Sequence, residues 1–402
     1  MTIVTVYSKK MLTAPKRILP ILVLAQFAGT SLWFAVNAVM PDLQQEMGWP
    51  ASAVGRLTSA LQLGFIVGTL VFALLAIADR FSARRVFLFC ALAGALCTLG
   101  AMMRIASFTE LLLWRAATGF FLAGIYPVGM KIASQWFPKG LGVALGWLVG
   151  ALVLGSASAH GIRALSVELP WSTVMISVAL LAAAGGLLLF MVIPEPPNNT
   201  ANTKKLEWQA LATIWTDWRV RASVLGYFGH MWELYTFWVL VPLILATQLS
   251  GQALSFAAFG VLGIGAVGCI GGGWLAKRWG SARVATLQLS MSGMCCLLAP
   301  WLLSAPLIWF LLWLAVWGIT AAGDSPQFST LTASNAPKHA VGSVLTLTNC
   351  IGFALSIVSI ELFTSLAQEH QLASLLPWLG IGPLLGVLAM RPLLGKQLSG
   401  RH

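Results

Sequence analysis

The sequence predicts an all-α membrane protein with twelve transmembrane helices in two pseudo-symmetric six-helix bundles. Three observations support this fold class. Of the 402 residues, 58% are hydrophobic and only 9% are charged, which is too apolar for a soluble chain of this length. The apolar residues form serial long runs separated by basic loops, and two of these loops recur about 200 residues later.

The apolar runs have the length that helical spans require. Crossing a bilayer takes about 20 helical residues, and a span in lipid must pair its own backbone groups. The first run follows Lys16 and Arg17 and has no small-residue cleavage site, so we interpret it as a retained span rather than a signal peptide. The predicted spans are 18–40, 53–78, 86–103, 110–134, 141–163, 171–193, 220–246, 255–276, 284–303, 306–334, 341–365 and 375–394.

The basic residues predict the orientation. With a cytoplasmic N-terminus, 19 of the 24 lysines and arginines lie on the cytoplasmic side, the exceptions being Arg56, Arg104, Arg115, Lys131 and Arg163. Such asymmetry is the positive-inside signal. It explains the net charge of +12 without a nucleic-acid partner, and we expect a bacterial inner-membrane protein with both termini in the cytoplasm. The six cysteines all fall inside apolar runs, which predicts buried thiols rather than disulfides or metal ligands.

The loops predict an internal duplication. IADRFSARRV (77–86) resembles LAKRWGSARV (275–284), and FPKGLG (137–142) resembles APKHAVG (336–342). Residues 1–193 and 219–402 are therefore predicted to form the two bundles, joined by a cytoplasmic linker at 194–218. In this linker Trp208, Leu211, Trp215 and Trp218 recur at helical spacing, which predicts a short helix on the membrane surface.

The first of these loops also carries a family resemblance. IADRFSARRV resembles the loop signature of the major facilitator superfamily, although Leu75 and Ser82 replace its glycines, and Arg115 with Gly119 resembles the family's fourth-span pattern. The resemblance implies a central cavity bordered by spans 1, 4, 7 and 10. It also implies a gating role for the matching residues Asp79, Arg80, Arg84 and Arg85. The alternative role of these charges is to set the topology.

Buried acids are the candidates for proton coupling. His230 and Glu233 share a helical face in the apolar stretch FGHMWELYTFW (228–238), and Asp324 precedes a helix-bending Pro326. Ionisable residues at this depth usually serve function. We therefore predict that Glu233 carries a proton together with His230 or Asp324; the alternative is a structural His–Glu pair. The family resemblance associates Arg115 with proton coupling or helix packing.

Lys131 is the predicted contact for a charged solute. It shares a helix with Tyr126 and Pro127, although a lysine near the end of a span also snorkels to the interface. The other predicted substrate-binding residues are aromatic or amide side chains within spans: Tyr126, Trp33, Asn37, Trp232, Tyr235, Trp238 and Gln327.

These features predict a monomeric secondary active transporter that moves a small organic solute, anionic or zwitterionic, by alternating access with protons. A proton-driven drug or metabolite exporter is an alternative, although GWLVGALVLGSASAHG (146–161) lacks the proline of the exporters' fifth span. Nitrate is disfavoured because spans 2 and 8 lack deep arginines. A membrane receptor or lipid translocator is the alternative of another class. The chain has no HExxH motif, nucleophile elbow or P-loop, so we expect no enzymatic activity, cofactor or metal.

Overall fold

The computed structural model describes residues 15–50, 52–103, 107–137, 140–195 and 206–395, and the regular elements in these ranges are helices. The first ten are α1 (Ile18–Thr30), α2 (Ala35–Ala38), α3 (Met40–Met47), α4 (Ala53–Leu74), α5 (Ile77–Arg80), α6 (Ala83–Met103), α7 (Phe108–Leu122), α8 (Tyr126–Trp136), α9 (Leu141–Leu165) and α10 (Ser172–Val192). The other ten are α11 (Ala210–Thr216), α12 (Trp218–Leu245), α13 (Gly251–Gly263), α14 (Gly265–Trp279), α15 (Ser281–Leu302), α16 (Leu307–Gly323), α17 (Ser325–Asn335), α18 (Val341–Glu369), α19 (Leu372–Leu379) and α20 (Ile381–Gly395). Residues 196–205 of the predicted linker and the basic residues Lys9, Lys10, Arg104, Lys139, Lys204, Lys205, Lys396 and Arg401 lie outside the described ranges.

The described helices account for the predicted crossings. Eleven helices or nearly continuous helix pairs are long and apolar enough to cross a bilayer, and α1 is a shorter apolar helix where the first span is predicted. The pairs are α7–α8, α13–α14, α16–α17 and α19–α20. The twelve-helix membrane fold is therefore confirmed.

The first crossing differs from the continuous helix predicted over 18–40, because α1 ends at Thr30 and a turn separates it from α2. The Thr30 hydroxyl donates to the carbonyl of Gln26 at 2.8 Å, and the Ser31 hydroxyl donates to the carbonyl of Ala28 at 2.7 Å. Such hydroxyl-to-backbone bonds bend helices in apolar surroundings. The apolar pattern of the sequence does not report this break.

The two halves share a second feature besides their loops, namely a broken helix. Helices α7 and α8 separate at Gly124-Ile-Tyr-Pro127, and α16 and α17 separate at Gly323-Asp-Ser-Pro326, 199 residues later. In each case the proline occupies the first turn of the second helix, where its missing N–H is harmless. The same Gly-x-x-Pro sequence therefore interrupts corresponding crossings.

Close glycine contacts are also duplicated. A Cβ at Gly119 of α7 would lie 1.8 Å from the carbonyl oxygen of Leu61 in α4. A Cβ at Gly318 of α16 would lie 2.2 Å from the carbonyl oxygen of Val261 in α13. Both glycines allow two backbones to approach more closely than any side chain permits, as in other membrane helix pairs.

Helices α4 and α9 of the first half pack against α18 and α13–α14 of the second. Near the start of α4, a Cβ at Gly55 would lie 2.3 Å from the Thr364 hydroxyl, and farther along Ser356 donates to Oε1 of Gln62 at 2.8 Å. Towards its end, α4 separates from α18 and a cavity lies between them. This end of the bundle, which we call the basic face, carries Arg80, Arg84, Arg85, Arg219, Arg221, Lys277, Arg278 and Arg283. The crevice between the halves thus widens towards the basic face.

The short helix predicted within the linker is present as α11. Its Ala210 and Ile214 are buried against Val344 and Leu347 of α18 and their neighbours. Trp208 and Trp215 are instead 53% and 67% exposed. An exposed indole pair beside a buried aliphatic face is the arrangement that a helix at the membrane interface requires.

Candidate functional site

The candidate site is a small central cavity of about 30 Å³ where the two halves meet, the volume of one or two water molecules. The lining residues that carry polar groups come from both halves: Tyr126, Tyr227, Tyr235, Trp238, Ser325, Ser329 and Asn349. Val149, Leu152, Val153, Met231 and Phe353 provide much of the apolar wall. No charged side chain of the described residues lines this cavity, so it offers hydrogen bonds and aromatic surface rather than charge.

An aromatic cluster closes the cavity on the side away from the basic face. Trp33 stacks on Tyr235 with ring centroids 5.7 Å apart and also meets Phe65 at 5.1 Å and Phe353 at 5.8 Å. Trp238 joins the cluster edge-on to Tyr235 at 5.4 Å. Because these rings come from both halves, separating the halves on this side must break the cluster. Its pairs are each worth about 0.5–1.5 kcal/mol beyond area burial.

Glu233 lies behind the cavity wall, between α12, α15 and α16. Its Oε1 accepts a hydrogen bond from Trp317 Nε1 at 2.6 Å, and its Oε2 accepts one from the Ser292 hydroxyl at 2.8 Å. The Ser292 hydroxyl also lies 3.0 Å from the carbonyl oxygen of Leu289, so it has a second acceptor. The side chain is 1% exposed. Glu233 therefore sits among polar donors inside the second half and does not line the cavity in this conformation.

His230 and Asp324 form a second buried pair on the same side. Nδ1 of His230 lies 2.7 Å from Oδ1 of Asp324, and both side chains are at most 1% exposed. Asp324 immediately precedes α17, where the positive end of the helix dipole favours a carboxylate. The His230 ring lies 5.8 Å from the ring of Tyr227, which lines the cavity. The His230–Asp324 pair is thus one side chain away from the central cavity.

Arg115 is buried in the first half and supports the break in the first crossing. Its guanidinium donates to the carbonyl oxygens of Leu32 at 3.2 Å and Trp33 at 2.6 Å, and it is 1% exposed. It forms no ion pair with a carboxylate of the described residues. In this conformation Arg115 holds the turn that positions Trp33 in the aromatic cluster.

Replacing Arg115 by methionine is expected to destabilise the protein by about 2 kcal/mol, because two buried carbonyl oxygens lose their donors. Arg115→Lys, which keeps the charge but cannot span both oxygens, should fall between wild type and Arg115→Met. Unfolding in mixed micelles titrated with SDS measures the change. Arg56→Met, which removes an exposed arginine of α4, is the control. Equal stability of Arg115→Met and Arg56→Met would contradict this role.

Lys131 and Asp79 meet at the basic face rather than at the central cavity. Lys131 Nζ lies 2.5 Å from Oδ1 of Asp79 and also donates to the carbonyl of Ala78. Both side chains line a cavity of about 250 Å³ between α4, α8 and the start of α18, together with Thr69, Ser343 and His339. We call this space the vestibule. Lys131 therefore already has an anionic partner in this conformation, at the wide end of the crevice.

Breaking the Lys131–Asp79 pair is expected to disfavour the conformation in which the vestibule is open. With Thr346→Cys as a reporter in the vestibule wall, Asp79→Asn or Lys131→Met should slow labelling by a membrane-impermeant maleimide about twofold to fivefold. This range corresponds to the ~1 kcal/mol upper limit of a partly exposed pair. The exchanged variant Asp79→Lys/Lys131→Asp should recover the rate.

The control for this experiment is Ser304→Cys, which lies in a loop at the opposite end of the molecule and should label at an unchanged rate. The six native cysteines should not react with the maleimide, because all of them are buried. Single variants that label the reporter as fast as the parent would show that the pair does not govern the opening.

The three loop arginines have different surroundings. Arg84 donates to Glu195 at 2.8 Å and to the carbonyls of Phe190 and Ile193 at the end of α10. Partial burial raises the pKa of Glu195, but hydrogen bonds from Ser82 and Arg84 outweigh this, so its pKa lies below the usual value. Arg80 and Arg85 are exposed and form no ion pair with a described residue. Arg84 thus joins α6 to α10 within one half.

The remaining predicted residues divide between the site and its surroundings. Tyr126, Tyr235 and Trp238 line the cavity, and Trp33 belongs to the aromatic cluster. Three others lie away from the cavity wall. Asn37 donates to Thr58 at 2.8 Å, Trp232 borders an outer groove near Phe363, and Gln327 is buried in α17.

The sequence did not identify several residues that complete the site. Phe65 and Phe353 could not be distinguished among 20 phenylalanines, and Tyr227 directly precedes the apolar stretch 228–238 that contains His230 and Glu233. Ser292 and Trp317 lie 59 and 84 residues from Glu233, and only the packing of three helices makes them its partners. A polar residue on the inner face of α15 is the one signal that favours Ser292.

Comparison with known proteins agrees with this architecture. Residues 22–360 match the sequence profile of the family described as Major Facilitator Superfamily. Among solved structures, the human organic anion transporter MFSD10 (TETRAN) superimposes with a TM-score of 0.73 and 16% identity, covering 93% of this chain and 99% of that one. The proton:xylose symporter XylE bound to 6-bromo-6-deoxy-D-glucose gives 0.74 and 14%, covering 94% and 96%. No curated protein matches the sequence. At these identities the two structures bear on the fold alone.

Proposed function

Because this chain belongs to the major facilitator superfamily, it is an integral membrane transport protein, and we propose that it is a proton-coupled secondary active transporter. It moves a small organic solute across the bacterial inner membrane as a monomer, by alternating access to the central cavity. The basic face is cytoplasmic in this proposal, as the distribution of lysine and arginine predicts. In the conformation described above, the crevice between the halves is then closed on the outer side and widens towards the cytoplasm.

The hydrogen bonds around Glu233 are the main support for proton coupling. Trp317 Nε1 can only donate, so Oε1 accepts in either protonation state. When the carboxylate is ionised, Ser292 donates to Oε2; when Oε2 is protonated, it donates to Ser292, whose own proton turns to the carbonyl of Leu289. Both protonation states are therefore fully hydrogen-bonded without moving a heavy atom. A buried group arranged in this way can gain and lose a proton during a cycle.

The His230–Asp324 pair links this proton site to the solute cavity. Asp324 lies at the break between α16 and α17, and the cavity residues Ala322, Ser325 and Ser329 belong to these two helices. A solute that moves α17 therefore also changes the surroundings of Asp324, and His230 stands beside Tyr227 of the cavity wall. This route supports coupling through helix movement rather than direct contact between solute and Glu233.

The cavity wall favours a solute that carries hydrogen-bond acceptors beside an apolar surface. Trp238 is 2% exposed, and its Nε1 has no hydrogen-bond partner among the described residues, so it is available to an acceptor on the solute. The expectation of an anionic or zwitterionic solute depended on Lys131, which lies in the vestibule beside Asp79. We therefore propose an uncharged solute at the central cavity, since an anion in low dielectric needs a cationic partner.

Transport by proteoliposomes tests this function. With a pH-sensitive dye inside, addition of the transported solute should cause a proton flux that empty vesicles lack. The solute panel should contain uncharged sugars and organic anions, because one structural neighbour is a xylose symporter and another an organic anion transporter. Proton flux with sugars alone would support an uncharged solute, whereas flux with anions alone would refute that class while retaining coupling. Solute flux that never moves protons would refute the coupling.

One substitution tests the cavity as the binding place. Trp238→Phe removes the Nε1 donor and keeps most of the ring, so the solute affinity should fall about fivefold, the loss of one hydrogen bond of ~1 kcal/mol. Trp309→Phe changes an indole that is 61% exposed on the outer surface and is the matched control. Equal solute affinities of Trp238→Phe and Trp309→Phe would show that the solute does not bind at Trp238.

A further inference from the structure

A second pocket on the first half has the composition of a lipid site. It is a groove of about 520 Å³ between the end of α4, α5, the start of α6 and the end of α7. Its apolar walls include five phenylalanine rings: Phe72, Phe81, Phe89, Phe120 and Phe121. Phe81 and Phe89 are 63% and 65% exposed, so these walls are open to the surroundings of the helices. A volume of this size is within the range of ordinary ligand pockets.

Two arginines stand at the rim of this groove, and neither forms an ion pair within the described part of the chain. Arg80 and Arg85 both line it, are exposed, and form no ion pair with any described carboxylate. Arg84, between them in the chain, has Glu195 and two carbonyls as partners. The two carboxylates nearest these arginines have other ion-pair partners, since Asp79 pairs with Lys131 and Glu195 pairs with Arg84. One end of this apolar groove therefore carries two positive side chains that are not in an ion pair.

These properties identify one class of occupant. The groove extends from Phe81, in the loop before α6, to Phe120 and Phe121, near the middle of the crossing formed by α7 and α8. Its surroundings therefore change along its length from lipid headgroups to acyl chains. A soluble anion would gain little from five phenylalanine rings, and a neutral lipid would gain nothing from two unpaired arginines. Basic pockets between transmembrane helices bind anionic headgroups. We propose that this groove binds one anionic phospholipid of the leaflet at the basic face, with an acyl chain on the phenylalanines and its phosphate on Arg80 and Arg85.

The site also touches the transport pathway. Phe72 lines both the groove and the vestibule, and its ring meets that of Phe120 edge-on at 6.0 Å. Asp79, which pairs with Lys131 across the vestibule, precedes Arg80 directly in α5. A lipid held by Arg80 thus restrains the short helix that carries Asp79.

Lipid titration of the delipidated full-length protein tests the site. Native mass spectrometry should detect one dioleoyl phosphatidylglycerol bound at least about tenfold more tightly than dioleoyl phosphatidylcholine. Arg80→Gln/Arg85→Gln should reduce the affinity for phosphatidylglycerol to that for phosphatidylcholine. Arg278→Gln/Arg283→Gln, which removes the same charge from the repeated loop of the basic face, should retain the preference.

A second substitution tests the apolar wall. Phe89→Ser should weaken phosphatidylglycerol binding about fivefold or more, whereas Phe256→Ser, at another exposed phenylalanine, should leave it unchanged. Glycerol phosphate alone should not compete with the lipid. Equal binding of the two lipids, a preference that survives in Arg80→Gln/Arg85→Gln, unaltered affinity in Phe89→Ser, or competition by glycerol phosphate would each overturn the proposal. Solute transport has no part in these measurements, so they stand apart from the proposed function.

Discussion

Replacing His230 by leucine is expected to lower the free energy of unfolding by about 3–5 kcal/mol and to abolish transport. The substitution removes the partner of Asp324, whose carboxylate is fully buried, and an uncompensated buried charge costs about this much. Unfolding in SDS-containing mixed micelles measures the stability, and solute uptake by proteoliposomes measures the function. Asp324→Leu should be milder, since it leaves no carboxylate buried without a partner.

The double variant separates the structural role of this pair from its functional role. In His230→Leu/Asp324→Leu no charge remains buried at the site, and exchange of a buried ion pair for apolar residues is often neutral or stabilising. Stability should therefore return to within about 1 kcal/mol of wild type, while transport should stay absent. Recovery of transport together with stability would show that the pair serves packing alone.

Glu233→Gln is expected to abolish solute accumulation driven by a pH gradient and to preserve solute exchange across the membrane. The glutamine oxygen can still accept from Trp317, and its amide can donate to Ser292, which reproduces the hydrogen bonds of the protonated acid. The protein should therefore fold normally but be unable to release a proton. Uptake in proteoliposomes with an imposed gradient measures accumulation, and counterflow without a gradient measures exchange.

The matched control for this substitution is Glu361→Gln, which neutralises a partly exposed acid of α18 and should accumulate solute like wild type. Gradient-driven accumulation by Glu233→Gln at the wild-type level would remove Glu233 from the coupling mechanism. Loss of exchange as well as accumulation would instead indicate that Glu233 is needed for the conformational change itself.

Much of the fold was predictable because its determinants are local. Helical spans follow from runs of apolar residues, and the family resemblance follows from the loop around Asp79, whose residues are contiguous. The break after Thr30 was not predictable from the apolar pattern, because it depends on hydroxyl groups that bond to their own helix and on Arg115 from α7.

The candidate site was predictable in its residue types but not in its pairings. The sequence predicts solute binding for Lys131 and gating for Asp79, yet the two side chains contact each other. Their proximity is not evident from the sequence, since 52 positions separate them in the chain. His230 and Glu233 share a helix, and the structure gives each of them a different partner from another helix. These contacts depend on how the helices pack together, which the sequence of a single span does not specify.

The paired Gly-x-x-Pro interruptions have a consequence for how the protein moves. In each half, two helices of one crossing meet at this sequence near the middle of the crossing, at Gly124 in the first half and at Gly323 in the second. A break of this kind allows the helix on one side of the membrane to tilt while the helix on the other side keeps its position. Pro326→Ala would favour a continuous helix through the second break only. The first half would then still bend at Gly124, while the second half would bend less.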